Sequence, residues 1–186
     1  LTNRLRDERG ISLVEIMVAV AIIGVLTSMA VIQIGAVRPG LEADGAMRVV
    51  MSQLNSARET AIAQRRRVEV TFPNGSWVRV TRYNLPNGTT LLSEIPFEGG
   101  VQYGLWPNVQ DTPDGFGNLT PISFGAANQV MFNTEGMLVD NAGIPINGTV
   151  FMLIPNQPGS FRAVTVLGTT GRVRGFRWNG GQWTRV

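Results

Sequence analysis

The stretch Gly10–Ile34, GISLVEIMVAVAIIGVLTSMAVIQI, decides how the rest of the chain is read. From Ile11 to Ile34 it is almost wholly apolar, and its one ionisable side chain is Glu15. A helix over this run, rising about 1.5 Å per residue, is long enough to cross a hydrocarbon core of about 30 Å. A carboxylate at membrane depth costs roughly 2.5–3.5 kcal/mol, so Glu15 needs either a cation or a place near the headgroups. An ordinary secretory signal is the competing reading, because Ser28-Met29-Ala30 loosely fits a small-x-small cleavage site. Glu15 inside the would-be apolar region argues against that reading.

Gly10, Glu15 and the run AIIGVL at Ala21–Leu26 carry a resemblance. Following an Arg-rich leader, they resemble the type IV prepilin signal of pilins and type II secretion pseudopilins. The resemblance implies that a membrane peptidase, the prepilin peptidase, cuts after Gly10 and methylates the new amine at Ile11. It also implies that Glu15 pairs with the N-terminal amine of a neighbouring subunit during filament assembly, which supplies the buried carboxylate with its cation in trans. Two positions depart from the family: Ile11 stands where Phe is usual, and Ile32 where many pilins have a Pro that loosens the helix. Gly24 and Gly35 remain as weak points.

The 186 residues suit one soluble domain plus the anchor. No Cys means no disulfide framework and no thiolate metal site. No His removes Ser-His-Asp and Cys-His catalysis and the commonest transition-metal ligand. The carboxylates are not spaced for catalysis on their own, so we expect no enzyme, no cofactor, no metal and no small-molecule substrate. The net charge of +3 is unevenly laid out. Between Arg82 and Arg162 there are only acids, and after Asp140 only arginines. That asymmetry could steer head-to-tail contacts or attract a polyanion, or it could be two solvated faces.

In chain order, residues 1–10 read as the leader, with Arg4, Arg6 and Arg9 favouring the cytoplasmic side of the membrane. Residues 11–38 read as the transmembrane and filament-core helix. Arg38-Pro39-Gly40 is expected to kink or briefly break it. Residues 39–67 resume as an amphipathic helix, with Met47, Val50, Met51, Leu54, Ala57 and Ala61 forming an apolar stripe. Arg65-Arg66-Arg67 closes it, cations at the negative end of the dipole. Residues 68–186 read as a β-rich periplasmic domain. Val68–Phe72 alternates, Pro73–Ser76 turns the chain, and Trp77–Tyr83 returns as a hairpin. Further strands are expected at Thr89–Leu92, Gln102–Leu105, Ile122–Phe124, Gln129–Phe132, Met137–Val139, Thr149–Ile154, Phe161–Leu167, Arg172–Trp178 and Gln182–Val186. The class is α+β: a long N-terminal helix, its first half transmembrane, packed on antiparallel sheets. Asp111, Asp114 and Asn118 in the loop Trp106–Pro121 could face Ca²⁺, but they lack the ligand ladder of an EF-hand. Turn Asp and Asn usually bond their own backbone.

SARETAIAQRRRVEVTF at the helix end, VMFNTEGML at Val130–Leu138 and TGRVRGF at Thr170–Phe176 narrow the resemblance. They are similar to the GspH/FimT family of minor pseudopilins and minor pilins. This implies a low-abundance subunit that primes or caps a filament, partnered by other subunits, held in the bacterial inner membrane by a single pass with its soluble domain periplasmic. Some FimT-type pilins bind DNA, and a Gly-Arg-x-Arg run near the C-terminus goes with that role. Gly171-Arg172-Val173-Arg174 matches it. As an unbroken strand, Arg172 and Arg174 would share a face with Phe176 and Trp178, mixing charge with core. A bulge at Gly175 would turn Arg172, Arg174 and Arg177 outward together. Outward arginines could hold phosphates, or could be edge-strand charges that deter aggregation.

Overall fold

A computed structural model describes residues 11–125 and 129–186, less the side chains of residues 30–34, 36, 74 and 129. The leader and Gly10 lie outside the described residues. The chain divides into two units, Leu1–Arg38 and Pro39–Val186. Helix α1 runs from Leu13 to Gln64 and enters both. Of the kink or short break expected at Arg38-Pro39-Gly40, the break is absent, for α1 continues through Pro39. Pro removes a single N–H, so only the carbonyl of Gly35 loses its intrahelical donor. The turn that follows is tied down independently: Ala43, Ala46 and Met47 are buried, and Arg162 Nη2 donates to Gly40 O at 3.1 Å.

In the second unit Met47, Val50, Leu54, Ala57 and Ala61 are buried and Met51 is half-buried, as the stripe requires. Arg48, Ser52, Asn55, Ser56 and Glu59, on the other side, are exposed. Among the described residues eleven strands follow: β1 Val68–Thr71, β2 Trp77–Tyr83, β3 Thr89–Pro96, β4 Gln102–Tyr103, β5 Ile122–Ser123, β6 Gln129–Phe132, β7 Leu138–Val139, β8 Gly148–Ile154, β9 Gln157–Leu167, β10 Arg172–Trp178 and β11 Trp183–Arg185. They form two antiparallel sheets. The first has the order β3-β2-β1-β6-β7; the second has β11-β10-β9-β8-β4, with β5 also on β8. Val68, Val70, Val78, Val80, Val130 and Phe132 from the first sheet meet Val150, Met152, Val164 and Val166 from the second in one core with the helix stripe. Each of these strands alternates by twos, so one face of each sheet is apolar and must be covered.

A charge is buried at this helix–sheet contact. Arg162, on β9, is 2% exposed. Its Nε donates to Asp44 Oδ1 on α1 at 2.6 Å, and its Nη1 donates to Gly159 O and Phe161 O at 2.8 and 2.9 Å. Asp44 Oδ2 also accepts from Arg177 Nη2 on β10 at 2.7 Å. Helix α1 is thereby fixed to two neighbouring strands by one carboxylate.

The three stretches behind the narrower resemblance meet at the other end of the same helix. Arg58 Nε donates to Gly136 O at 3.2 Å. Gly171 has φ +63°, and a Cβ there would lie 2.3 Å from Gly136 O and 2.6 Å from Arg58 Cδ. Only glycine fits both the backbone and the space. Gly175 is also crowded, but by the flexible ends of Met51 and Met47 at 2.8 and 3.1 Å.

Two expectations about stability follow from these contacts. Asp44→Ala leaves Arg162 buried and unpaired and should cost about 3–5 kcal/mol. Arg79→Ala, which breaks the exposed pair with Glu94, should cost under about 1 kcal/mol. Gly171→Ala should cost at least about 2 kcal/mol, and Gly175→Ala less, because methionine ends can move where a carbonyl cannot. Thermal unfolding of the full chain in detergent checks both rankings; equal losses within either pair would refute that contact.

Candidate functional site

Three places carry the functional expectations: the apolar run, the arginines of β10, and the loop Trp106–Pro121. In the first unit α1 begins just after Ser12, whose carbonyl accepts from Glu15 N at 3.0 Å. Glu15 lies in the first turn, where a carboxylate faces the positive end of the helix dipole. Among the described residues it has no ion pair. Every described large apolar side chain from Ile11 to Met29 is more than half exposed, from 53% at Ile16 and Val18 to 74% at Ile11. No face is spared, so this is a helix apolar all round rather than one with a buried stripe. Its hydroxyls are turned inward: Thr27 Oγ1 donates to Ile23 O and Ser28 Oγ to Val25 O, both at 2.7 Å. Among the described residues no helix is long and apolar enough to cross a membrane. The expected span Ile11–Ile34 ends in residues 30–34, whose side chains lie outside the described ones.

The β10 arginines are not arranged as expected. β10 pairs with β9 in unbroken register from Arg172↔Leu167 to Arg177↔Arg162, and there is no bulge at Gly175. Arg172, Arg174, Phe176 and Trp178 therefore share one face, and Val173, Gly175 and Arg177 the other. Each face brings an acid to one arginine. Arg174 Nη1 pairs with Asp114 of the loop, and Arg177 pairs with Asp44 of the helix. Gly175 sits opposite Met47 and Met51 of the helix, whose sulfurs would crowd a Cβ there. The three arginines do not form a common surface, and only Arg172 is both exposed and without an ion pair among the described residues.

The loop Trp106–Pro121 lies over the outer face of the second sheet. Leu105, Trp106 and Val109 pack on Phe151, Leu153, Phe161, Ala163 and Phe176 beside Trp178 and Trp183. Trp183 Nε1 donates to Gln110 O at 2.9 Å. Asp111 accepts from Thr112 N and Gly117 N, each at 2.7 Å, and Asn118 Nδ2 donates to Val109 O at 2.9 Å. Asp114 accepts from Thr165 Oγ1 at 2.6 Å as well as from Arg174. The carboxylates of Asp111 and Asp114 are thus engaged within the protein. No cluster of three or more acidic, His or Cys side chains able to hold a metal occurs among the described residues. Burial pushes the Tyr103 hydroxyl well above its ordinary range, so it stays a neutral donor to Trp77 O at 2.8 Å. The sequence pattern gave no sign of Asp44 or Arg162, whose pairing across the chain has no local signature.

Comparison with known proteins agrees with this architecture. A prokaryotic N-terminal methylation motif matches residues 5–31, and the model of Type II transport protein GspH matches residues 46–181. Among solved structures, the chain is similar to the type IV minor pilin FimU of Pseudomonas aeruginosa. The two are 16% identical with a TM-score of 0.50, over 71% of this chain and 86% of that one. The minor pseudopilin EpsH from the Type 2 Secretion System of Vibrio cholerae is 14% identical, with a TM-score of 0.46, over 78% of this chain and 95% of that one. None of the curated proteins compared with the chain matches it. The likeness to FimU shows a shared pilin-like α+β fold, and the domain match covers most of the chain. With the methylation motif ahead of it, that match identifies the chain as a member of the Type II transport protein GspH family, whose proteins are structural subunits rather than enzymes.

Proposed function

We propose that this chain is a minor pilin or pseudopilin that primes or caps a filament built from the bacterial inner membrane. The prepilin peptidase cuts after Gly10 and methylates the amine of Ile11. The run Ile11–Ile34 then holds the chain in the membrane by a single pass, with the β-rich domain periplasmic, until the subunit enters the filament. There Glu15 pairs with the N-terminal amine of a neighbouring subunit. The filament is a type II secretion pseudopilus, the system in the family's name, or a type IV pilus, to which FimU belongs.

The observation that carries this reading is the helix apolar on every side from Ile11 to Met29, with one carboxylate near its start. Such a surface must be covered by lipid or by other helices. Within either cover a carboxylate costs roughly 2.5–3.5 kcal/mol unless a cation meets it. The next basic residue after Glu15 is Arg38, about 34 Å further along the helix at 1.5 Å per residue. A chain terminus brought in by another subunit supplies the missing charge. DNA binding by Arg172, Arg174 and Arg177 has less support, because Arg174 pairs with Asp114, Arg177 shares Asp44 with Arg162, and the three lie on two faces of β10.

Glu15→Ala should lower the amount of chain that sediments with sheared filaments by at least about tenfold, since a decade corresponds to about 1.4 kcal/mol. The melting of the β-rich domain should not change. Incorporation equal to the parent would end the pairing mechanism. In the same cells, whole-protein mass spectrometry should find a chain that begins at a methylated Ile11; one that begins after Ala30 would end the filament reading altogether.

A further inference from the structure

The end of α1 carries a second surface. The helix stops at Gln64, and Arg65 follows with φ +50°, in the left-handed region that glycine normally fills at this place. An arginine held there costs on the order of 1 kcal/mol of backbone free energy. Arg66 and Arg67 come next, and Arg82 lies opposite Val68 across the β1–β2 pair, its Nη1 donating to Gln64 Oε1 at 2.6 Å. The tip of the β2–β3 hairpin stands beside them. Together Arg65, Arg66, Arg67, Tyr83, Leu85 and Thr134 line an open groove of about 690 Å³.

The charge in this groove is not balanced from within. Arg79, Arg162, Arg174 and Arg177 each have a carboxylate partner. Among the described residues Arg65, Arg66, Arg67 and Arg82 have none. The acid close by is Glu69, which accepts from Tyr83 Oη at 3.2 Å; with burial its charge raises the Tyr83 pKa, and Arg67 opposes it. Complementing the helix dipole explains a cation at this position, but one would be enough, and the strained Arg65 would not be needed. Nor does the dipole explain Leu85, 70% exposed at the groove's rim.

We infer that this pole docks a carboxylate-bearing, apolar-centred surface of the neighbouring filament subunit, an inference that rests on the filament reading above. Guanidinium forks bind carboxylates in a bidentate way and shed their water more readily than ammonium groups do. The chain has no lysine at all, so the pole is built only from the cation suited to interfaces. Leu85 supplies the apolar contact, and Tyr83 half of another. A single-stranded nucleic acid would want successive aromatic platforms, and here Tyr83 stands alone with its hydroxyl held by Glu69; a duplex would use the arginines but leave the exposed Leu85 without a contact. The pole lies at the far end of the domain's helix from Pro39, about 37 Å along it, and so contacts a different subunit level from residues near Pro39.

A photoreactive residue at position 85 of the full chain, expressed with its filament machinery, tests this. On irradiation it should crosslink to another subunit that carries a prepilin segment, at a peptide containing Asp or Glu. Arg65→Glu, Arg66→Glu and Arg67→Glu combined should lower that crosslink by at least about tenfold, while Arg48→Glu on the exposed side of α1 should not. Should the triple variant fold poorly, Arg67→Glu alone, at an exposed position past the helix end, lowers the same crosslink and leaves position 85 to the probe. Sedimentation of the parent chain with filaments is scored in the same cells. If the parent sediments but position 85 crosslinks to nothing, to nucleic acid, or to a subunit irrespective of the arginines, the docking inference is overturned and the filament reading is untouched. If the parent does not sediment, it is the filament reading that fails.

Discussion

A guanidinium inside a helix–sheet contact has to be met by a carboxylate, and the second unit is arranged so that Arg162 meets Asp44. An uncompensated ion at that depth costs several kcal/mol, more than any hydrophobic contact nearby contributes. Three of the remaining donors of Arg162 go to main-chain carbonyls, at Gly40, Gly159 and Phe161. One of these belongs to the helix, so the pairing fixes both the position and the rotation of α1 on the second sheet. Once that is set, the stripe from Met47 to Ala61 faces the core, and Gly175 must be small where the helix crosses β10. At the far end the same rigid helix brings Arg58 to Gly136 and Gly171. The family's three sequence stretches are thus consequences of one helix placement.

Much of this was legible beforehand. The helix stripe is legible in the sequence because its period is local, and α1 makes it from neighbouring turns. β2 and β10 have the expected bounds, Trp77–Tyr83 and Arg172–Trp178, since turn residues flank each run. β3 and β9 are longer than expected, reaching Pro96 and starting at Gln157. Of the added residues only Ile95 is a strong strand former, and the strands extend because a partner continues beside them, Val78 facing Ile95 and Ile154 facing Gln157. Sheet pairing decided these ends, and propensity could not.

The reading of β10 failed for a physical reason that reaches further. Placing charge outward is sound where no partner is in sight, and nothing within the strand offers one. The partners come from Asp114, 60 residues earlier, and Asp44, 133 residues earlier. With an acid on each side, an unbroken strand can carry arginine on both faces. The cover over the outer face is the loop Trp106–Pro121, rich in Gly, Pro and Asn and without an obvious counterpart in pattern. Its ordering residues, Asp111 and Asn118, serve it by bonding its own backbone, which is the plain expectation for such residues in turns. Pro39 taught the same lesson in reverse. A local rule for breaking the helix was overruled by burial on the side that follows.

Set beside Asp44, Glu15 shows what the first unit is missing. Both carboxylates lie on α1 with apolar residues around them. Asp44 is answered within the chain by two arginines, whereas Glu15 is answered by none among the described residues. The amine of a cut chain's own Ile11, about one helical turn away, could meet the charge. It would leave the side chains from Ile11 to Met29 as bare as before. A neighbouring helix that brings its own terminus alongside covers the apolar sides and meets the charge in one contact. Lipid can do the first of these but not the second. A helix apolar on every side with an unanswered carboxylate is thus met more completely by a helix that brings a cation than by an apolar cover alone.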